Sequence, residues 1–423
     1  MNKSDSELMA LSLSRNGFSE TVSGDEADIH IFNTCSVRRH AEDRVISRIK
    51  SCRSGMKHGS IIVLTGCMAQ SNTQETANIA DIVIGPYQSP KIGEIIKEYF
   101  SDRNKNTYIS QSFEDFSPRI DFGLTETRED IPWHKWITIT HGCENFCSYC
   151  IVPYVRGPLI SFPSDTIIKY AKELASNGIK EITLLGQNVN QYGMNNEIPF
   201  YKLLEKIAEI REFERINFLT SHPKDFDDNI IYVIRDNENI SRSVHLPLQS
   251  GSDTILKAMN RQYTVKRYLD IIEKIDRNLK LYSVSTDIIV GFPGETQEDF
   301  DATIDIVRKV RFDDAFTYAY SPRHGTAAFN LEEKLTRDEK IERLNFLIGL
   351  QRNISREKLA ARINKNEEMI AERISKKSVD EIMGRTFLNH PVIISGDGND
   401  IGKKIRIKIT ELKGSTLFGE RTV

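Results

Sequence analysis

No stretch of this 423-residue chain is apolar for long enough to span a bilayer. The longest apolar runs, such as "SIIVLTG", have the length of a strand. The polar N-terminus carries no apolar segment of the kind a secretory leader needs. Cysteine is scarce, with six residues, which is too few and too scattered for a disulfide framework in a chain of this size. Neither sign of charge dominates: a formal net charge of -3 gives no global field, so any polyanion would have to be met by a local patch. Internal repeats and low-complexity tracts are absent. These absences read as a soluble, cytoplasmic protein whose few cysteines serve metal chemistry, with length for two or three cores.

The N-terminal hundred residues alternate helix and strand signals. A helix near 4–16, with Ser4 or Asp5 as its cap and Leu8, Met9, Leu11 and Leu13 as its apolar face, leads to "ADIHIFNTC". Helical "SVRRHAEDRVISRIKS" follows, then "SIIVLTGC", helical "MAQSNTQETA" and "ADIVIGP". Short apolar strands alternating with helices imply a parallel sheet. Residues 101–130 are polar and aperiodic, as a linker would be. From Trp136 a longer alternation begins: "WITITHGC", "EITLLGQN", "RINFLTS", "RSVHLPLQS", "SVSTDIIVG" and "DAFTYAYSP" are candidate strands, separated by amphipathic helices such as "SDTIIKYAKELASNG", capped by Ser164 and stopped by Gly178. Six βα units predict a partial (β/α)6 barrel. After a charged helix near 333–365, "GRTFLNHPVIISG", "GKKIRIKITELKG" and "STLFGERTV" have the period-2 pattern of a small antiparallel β-barrel. The expected fold class is therefore α/β: an N-terminal open parallel-sheet domain (1–115), a central partial barrel (125–357) and a C-terminal antiparallel barrel (358–423).

"HGCENFCSYC" places Cys143, Cys147 and Cys150 in a C-x3-C-x2-C loop directly after a barrel strand. Three neighbouring thiolates can ligate three irons of a 4Fe–4S cube and leave the fourth open for chemistry. Structural zinc sites close with four ligands, commonly in paired C-x2-C spacings, and no second pair follows here. This spacing, with Tyr149 before the third cysteine, resembles the radical S-adenosylmethionine superfamily. The resemblance implies a cluster that binds S-adenosylmethionine and cleaves it reductively to a 5′-deoxyadenosyl radical, at the C-terminal face of a partial barrel. Loops at that face become candidates for cofactor contact: Gly186, Gln187 and Asn188; Gln249, Ser250 and Gly251; and Gly291, Pro293, Gly294 and Glu295. Taken singly each is an ordinary turn; on one rim together they favour a ligand.

Cys35 and Cys67 each end a predicted N-terminal strand, at the ligand-binding edge of an open α/β sheet. "NTCSVR", "GCMAQ", "GCENFCSYCIVPYVRG", "LLGQNVNQYG", "HLPLQSGSD" and "GFPGET" occur in the order seen in methylthiotransferases, and the likeness covers essentially the whole chain. What the family implies is a second, auxiliary 4Fe–4S cluster held by three cysteines, of which Cys35 and Cys67 match the second and third. The first belongs to a strand whose expected place lies before Met1, so that the N-terminal domain lacks its first strand and one ligand, and Met1 reads as an internal methionine of the ancestral protein. Cys52 is no substitute. It lies 17 residues beyond Cys35, about 25 Å along a helix at ~1.5 Å per residue.

The resemblance further implies methylthiolation at C2 of an isopentenylated adenosine next to the anticodon, using two molecules of S-adenosylmethionine. Its partners would be the anticodon stem-loop of tRNA, bound by a C-terminal TRAM domain, and a reductant such as flavodoxin or ferredoxin, with no membrane and with the chain a monomer. Lys404, Arg406 and Lys408 share one strand face; alone they read as a solvated face, and joined to a radical barrel in this order they form a candidate phosphate track. Two alternatives stay open: methylthiolation of an aspartate in a ribosomal protein, and an RNA-binding iron–sulfur protein impaired by loss of one auxiliary ligand.

Overall fold

The structure, a computed structural model, describes residues 2–34, 39–102, 107–109, 133–194 and 197–422. Two compact units emerge: Met1–Leu124 with His141–Ile160 and Ser321–Phe329, and Thr125–Thr140 with Ser161–Tyr320 and Asn330–Val423.

The first unit is built on a four-stranded parallel sheet, in the order Ile29–Thr34, Ile61–Gly66, Ile82–Ile84 and Thr107–Tyr108. The central strands are buried throughout, as a parallel sheet covered on both faces requires. The fourth strand falls inside the stretch read as a linker, of which 103–106 and 110–130 lie outside the described residues. The first helix runs Asn2–Arg15, so it starts before both expected caps. Ser4 is buried in its first turn, and the Asp5 carboxylate is committed to a distant arginine. Its buried face also differs from the apolar one expected: Ser4, Met9 and Ser12 are buried, while Leu8 and Leu11 are half-buried. Small residues win because another helix, Ile92–Ser101, crosses closely, with the Gly93 amide donating to Ser12 Oγ at 3.2 Å. Helical "MAQSNTQETA" is broken at Asn72 into Cys67–Ser71 and Thr73–Ala77.

The second unit contains six parallel strands in chain order: His134–Thr138, Glu181–Leu185, Arg215–Leu219, then Ser243–His245, Ser283–Val290 and Asp314–Ala319. Each set of three forms a continuous sheet, and a bridge from Ile216 to Ile240 joins them. Right-handed crossovers that all step the same way put every connecting helix on one side. The other side is the inner wall of an open barrel. One helix start differs from expectation: Pro163, not Ser164, precedes the helix Ser164–Ser176.

The C-terminal strands Asn366–Ile374, Glu381–Thr386, Pro391–Ser395, Lys404–Lys413 and Thr416–Arg421 close into a barrel. The first of these has no counterpart in the sequence reading. The barrel is not wholly antiparallel, since Pro391–Ser395 and Thr416–Arg421 run parallel. Five strands in a closed ring cannot all alternate in direction, so one parallel pair is obligatory. Its core is Met369, Ile382, Val392, Ile394, Ile405, Ile407, Ile409 and Leu417.

This small barrel is anchored to the inlet ends of the six-stranded array. Arg215, only 3% exposed, donates from Nη2 to Glu181 at 2.8 Å and from Nη1 to the carbonyls of Arg385 and Thr386. Ser241 and Ser283 donate to the carbonyls of Phe387 and Leu388. The loop 385–390 thereby covers the N-terminal ends of the barrel strands. Replacing Arg215 with Ala strands the buried Glu181 carboxylate and should destabilise the chain by about 3–5 kcal/mol. Adding Glu181→Gln should recover part of that loss. Chemical denaturation of the single and double variants checks both.

Candidate functional site

Two Gly-Cys steps organise the thiols of the first unit. Gly66 ends the buried strand Ile61–Gly66 at φ +94°, and a Cβ there would lie 2.2 Å from the Thr34 carbonyl. Only glycine lets the chain turn this sharply against its neighbouring strand. Cys67 follows, buried at the start of a five-residue helix. Gly142 repeats the device at φ +75°, where a Cβ would lie 1.9 Å from the Pro158 carbonyl. Cys143 comes next, its amide donating to the Gly157 carbonyl at 3.2 Å, and a Cys150 amide to Cys147 carbonyl bond at 2.9 Å closes the loop. The segment Ser321–Phe329 supports it, through an Ala328 amide donating to the Ser148 carbonyl at 2.7 Å.

The loop returns as a short helix, Val152–Arg156, and this helix meets Cys67. Cys67 packs with Ile151 and Val155. Arg156, 3% exposed, donates from Nε to Cys67 Sγ at 3.3 Å and from Nη2 to Asp5 Oδ2 at 2.7 Å. Its Nη1 is buried with no partner among the described residues. The neighbouring Asp5 carboxylate and the Cys67 sulfur hold the guanidinium charged despite its burial. His141, one residue before Gly142, is pushed down to about 3 by burial and by Arg156, and its ring meets the edge of Tyr87 with centroids 5.1 Å apart. One buried polar cluster therefore joins the end of an N-terminal strand to the three-cysteine loop. The sequence reading missed Arg156, although "VPYVRG" contains it.

The donor set fits a 4Fe–4S cube. Cys143, Cys147 and Cys150 stand within eight residues on one loop, and none of them is in a disulfide. Among the described residues no three His, Cys, Asp or Glu side chains gather tightly enough for a single ion. In a cube each thiolate binds a different iron, so the sulfurs stand further apart than ligands of one ion. Cys35 lies outside the described residues. Cys52 sits on the helix Arg39–Gly55, its thiol raised by burial. Tyr149 is half-buried in the loop.

The rim residues sit at the outlet ends of the strands, but most are engaged within the protein. A Cβ on Gly186 would meet Thr140 Oγ1 at 2.2 Å, one on Gly251 the Thr303 backbone at 2.5 Å, and one on Gly291 the Lys340 side chain at 2.5 Å. Glu295 accepts from the Gly291 amide at 2.9 Å and pairs with Arg343 at 2.5 Å; burial raises its carboxyl against both. Gly294 faces open space. Gln187 and Gln249 each bury an Oε1 with no partner among the described residues. On the C-terminal barrel Lys404, Arg406 and Lys408 share an exposed face, yet Lys404 pairs with Glu214 at 3.0 Å and Arg406 with Glu368 at 3.4 Å. The track is interleaved with acids.

Comparison with known proteins agrees with this geometry. Residues 137–307 match the Radical SAM superfamily, residues 1–85 the Uncharacterized protein family UPF0004, and residues 370–421 the TRAM domain. Two structures of the radical S-adenosylmethionine methyltransferase TsrM from Kitasatospora setae share the fold, at TM-scores of 0.55 and 0.54. They are 13% and 12% identical, covering 74% and 77% of this chain and 69% and 70% of theirs. Fold and loop together define a radical S-adenosylmethionine protein. Relatives named tRNA-2-methylthio-N(6)-dimethylallyladenosine synthase are similar over nearly the whole length. Those of Thermoanaerobacter pseudethanolicus and Caldicellulosiruptor saccharolyticus are 43% and 42% identical, over 99% of this chain and 90% of each relative. The chain belongs to that methylthiotransferase family.

Two outcomes follow from the loop. Gly142→Ala should lower the iron retained after anaerobic reconstitution while leaving the far-ultraviolet dichroism intact, because the added Cβ collides with backbone. For His141, the unfolded chain takes up a proton near pH 6.5 that the folded chain refuses until about 3. Stability should therefore fall as pH drops through that window. His141→Gln should flatten the slope in denaturation midpoints measured against pH.

Proposed function

We propose that this chain methylthiolates C2 of an isopentenylated adenosine next to the anticodon of tRNA, using two molecules of S-adenosylmethionine and two 4Fe–4S clusters. The observation that carries the reading is the buried bridge from Cys67 through Arg156 to the three-cysteine loop, within one compact unit. Activating a C–H bond and delivering sulfur are separate tasks, and this unit holds thiols for both.

When bound, the clusters and S-adenosylmethionine supply the electron, the hydrogen-abstracting radical and the methylated sulfur. Cys143, Cys147 and Cys150 would hold the radical cluster, with Tyr149 beside it. Cys35 and Cys67 would hold the auxiliary cluster. Arg156 donates a hydrogen bond to the Cys67 sulfur and fixes its distance from the loop. Burial of Ile151 and Val155 around Cys67 keeps water away from that sulfur. Gln187 and Gln249 offer buried acceptors to a ligand at the rim.

The boundaries 1–115, 125–357 and 358–423 serve as methylthiotransferase, radical and TRAM domains in this reading. The chain works as a cytoplasmic monomer, reduced by a flavodoxin or ferredoxin, and the TRAM barrel meets the anticodon stem-loop. No helix among the described residues is long and apolar enough to cross a membrane.

Nucleoside analysis of tRNA from cells lacking the gene tests the proposal. The methylthio-isopentenyl nucleoside should vanish, return with the wild-type gene, and stay absent with Cys147→Ala. Unchanged tRNA with an altered ribosomal protein would overturn it in favour of the aspartate substrate.

A further inference from the structure

The inner wall of the open barrel carries a polar group that the chemistry above does not use. His245, at the end of the fourth strand, hydrogen-bonds through Nδ1 to Ser285 Oγ at 2.9 Å, and its Nε2 lies 3.3 Å from Asp287 Oδ2. Ser285 and Asp287 are two residues apart on the fifth strand, hence on one face. The residues between and beside them, Val284, Thr286 and Ile288, are buried on the helix-covered side. Phe316 on the sixth strand pairs in register with Asp287, and its ring meets His245 edge-on with centroids 5.9 Å apart. Phe316 is 48% exposed, an unusual state for a phenylalanine in the middle of a barrel strand. Just beyond, Gln249 donates its amide to the Asp287 carbonyl and buries an Oε1 with no partner among the described residues.

A carboxylate oriented by an imidazole, beside an uncovered aromatic face, has the chemistry of a nucleobase subsite. Exposed aromatic rings stack on bases, and a carboxylate accepts from an exocyclic amine. We propose that Asp287 and Phe316 bind the adenine ring of the RNA substrate, with His245 positioning the carboxylate; this deepens the tRNA reading and rests on it. Asp287 accepts the N6–H of adenine, which the isopentenylated base retains. It repels a base with a carbonyl at that position. Phe316 stacks on the ring whatever its substituents.

Fluorescence anisotropy of a labelled anticodon stem-loop, carrying adenosine or inosine at the target position, tests this on the full chain. Wild type should prefer adenosine. Asp287→Asn should weaken the adenosine form by about tenfold and bring the two forms close to equal, the loss expected for a hydrogen bond to a charged group. Phe316→Ala should weaken both forms alike by about tenfold, and Phe316→Tyr should restore them. The exposure of Phe316 means that truncation empties no core. Wild-type binding with both variants unchanged overturns the subsite alone. A wild-type chain that binds neither stem-loop overturns the tRNA reading and the subsite with it. Reduced affinity of the reconstituted Phe316→Ala chain for S-adenosylmethionine, at unaltered RNA affinity, would assign the ring to the cofactor's adenine and overturn the proposal.

Discussion

Arg156 is a charge that the fold must satisfy before anything else in its unit can settle. Removing the partner of a buried ion costs roughly 3–5 kcal/mol, so a guanidinium at this depth dictates what surrounds it. Its partners are Asp5 in the first helix and Cys67 at the end of a central strand. The helix that carries it begins two residues after Cys150. Three segments far apart in the chain are thereby held in one arrangement. Directional hydrogen bonds set it more tightly than the surrounding apolar contacts of Ile151 and Val155 could alone.

Arg215 plays the corresponding part in the second unit, with the opposite purpose. It pairs with Glu181 inside the array and donates to two carbonyls of the small C-terminal barrel. That places the fixed joint at the inlet ends of the strands, where barrel folds keep their stabilising contacts. The outlet ends remain for chemistry. The cations of Lys404–Lys413 are partly neutralised by Glu214 and Glu368. A phosphate approaching that strand must displace acids, which favours selective over indiscriminate contact with polyanions.

Much of this was legible in the sequence. Period, glycine placement and strand-length apolar runs located all six barrel strands, and the three-cysteine spacing located its loop. The failures share a cause. Asp5 has the side chain of a cap but pairs with a residue 151 positions away, and Arg156 finds Cys67 across 89. No local pattern encodes such distances. The rim glycines were legible as close approaches, and the sequence could not tell that Thr140, Thr303 and Lys340 lie against Gly186, Gly251 and Gly291. Glu295 was legible as part of a special loop, while its partners, the Gly291 amide and Arg343, and the capping box that the adjoining Thr296 and Asp299 form for the next helix were not. The parallel strand pair of the small barrel follows from an odd strand number, which no single strand reveals.

The strand order has a consequence for what the barrel wall must meet. Helices laid on one side leave the other side of the sheet to be covered by loops or by a ligand. At the inlet end the loop 385–390 does so, and Ser283, on the inner face, is buried beneath the Leu388 carbonyl. Two residues further along the same strand face, Ser285 and Asp287 are only partly covered. Leu219, at the outlet end of the third strand, is 43% exposed. Exposure rises from one end of the wall to the other, and polar groups and aromatic rings appear where it rises. A wall evolved only to be packed would carry branched aliphatic residues in those layers. Histidine, aspartate and an uncovered phenylalanine there are the composition expected of a surface that a flat, polar-edged molecule covers for part of the time.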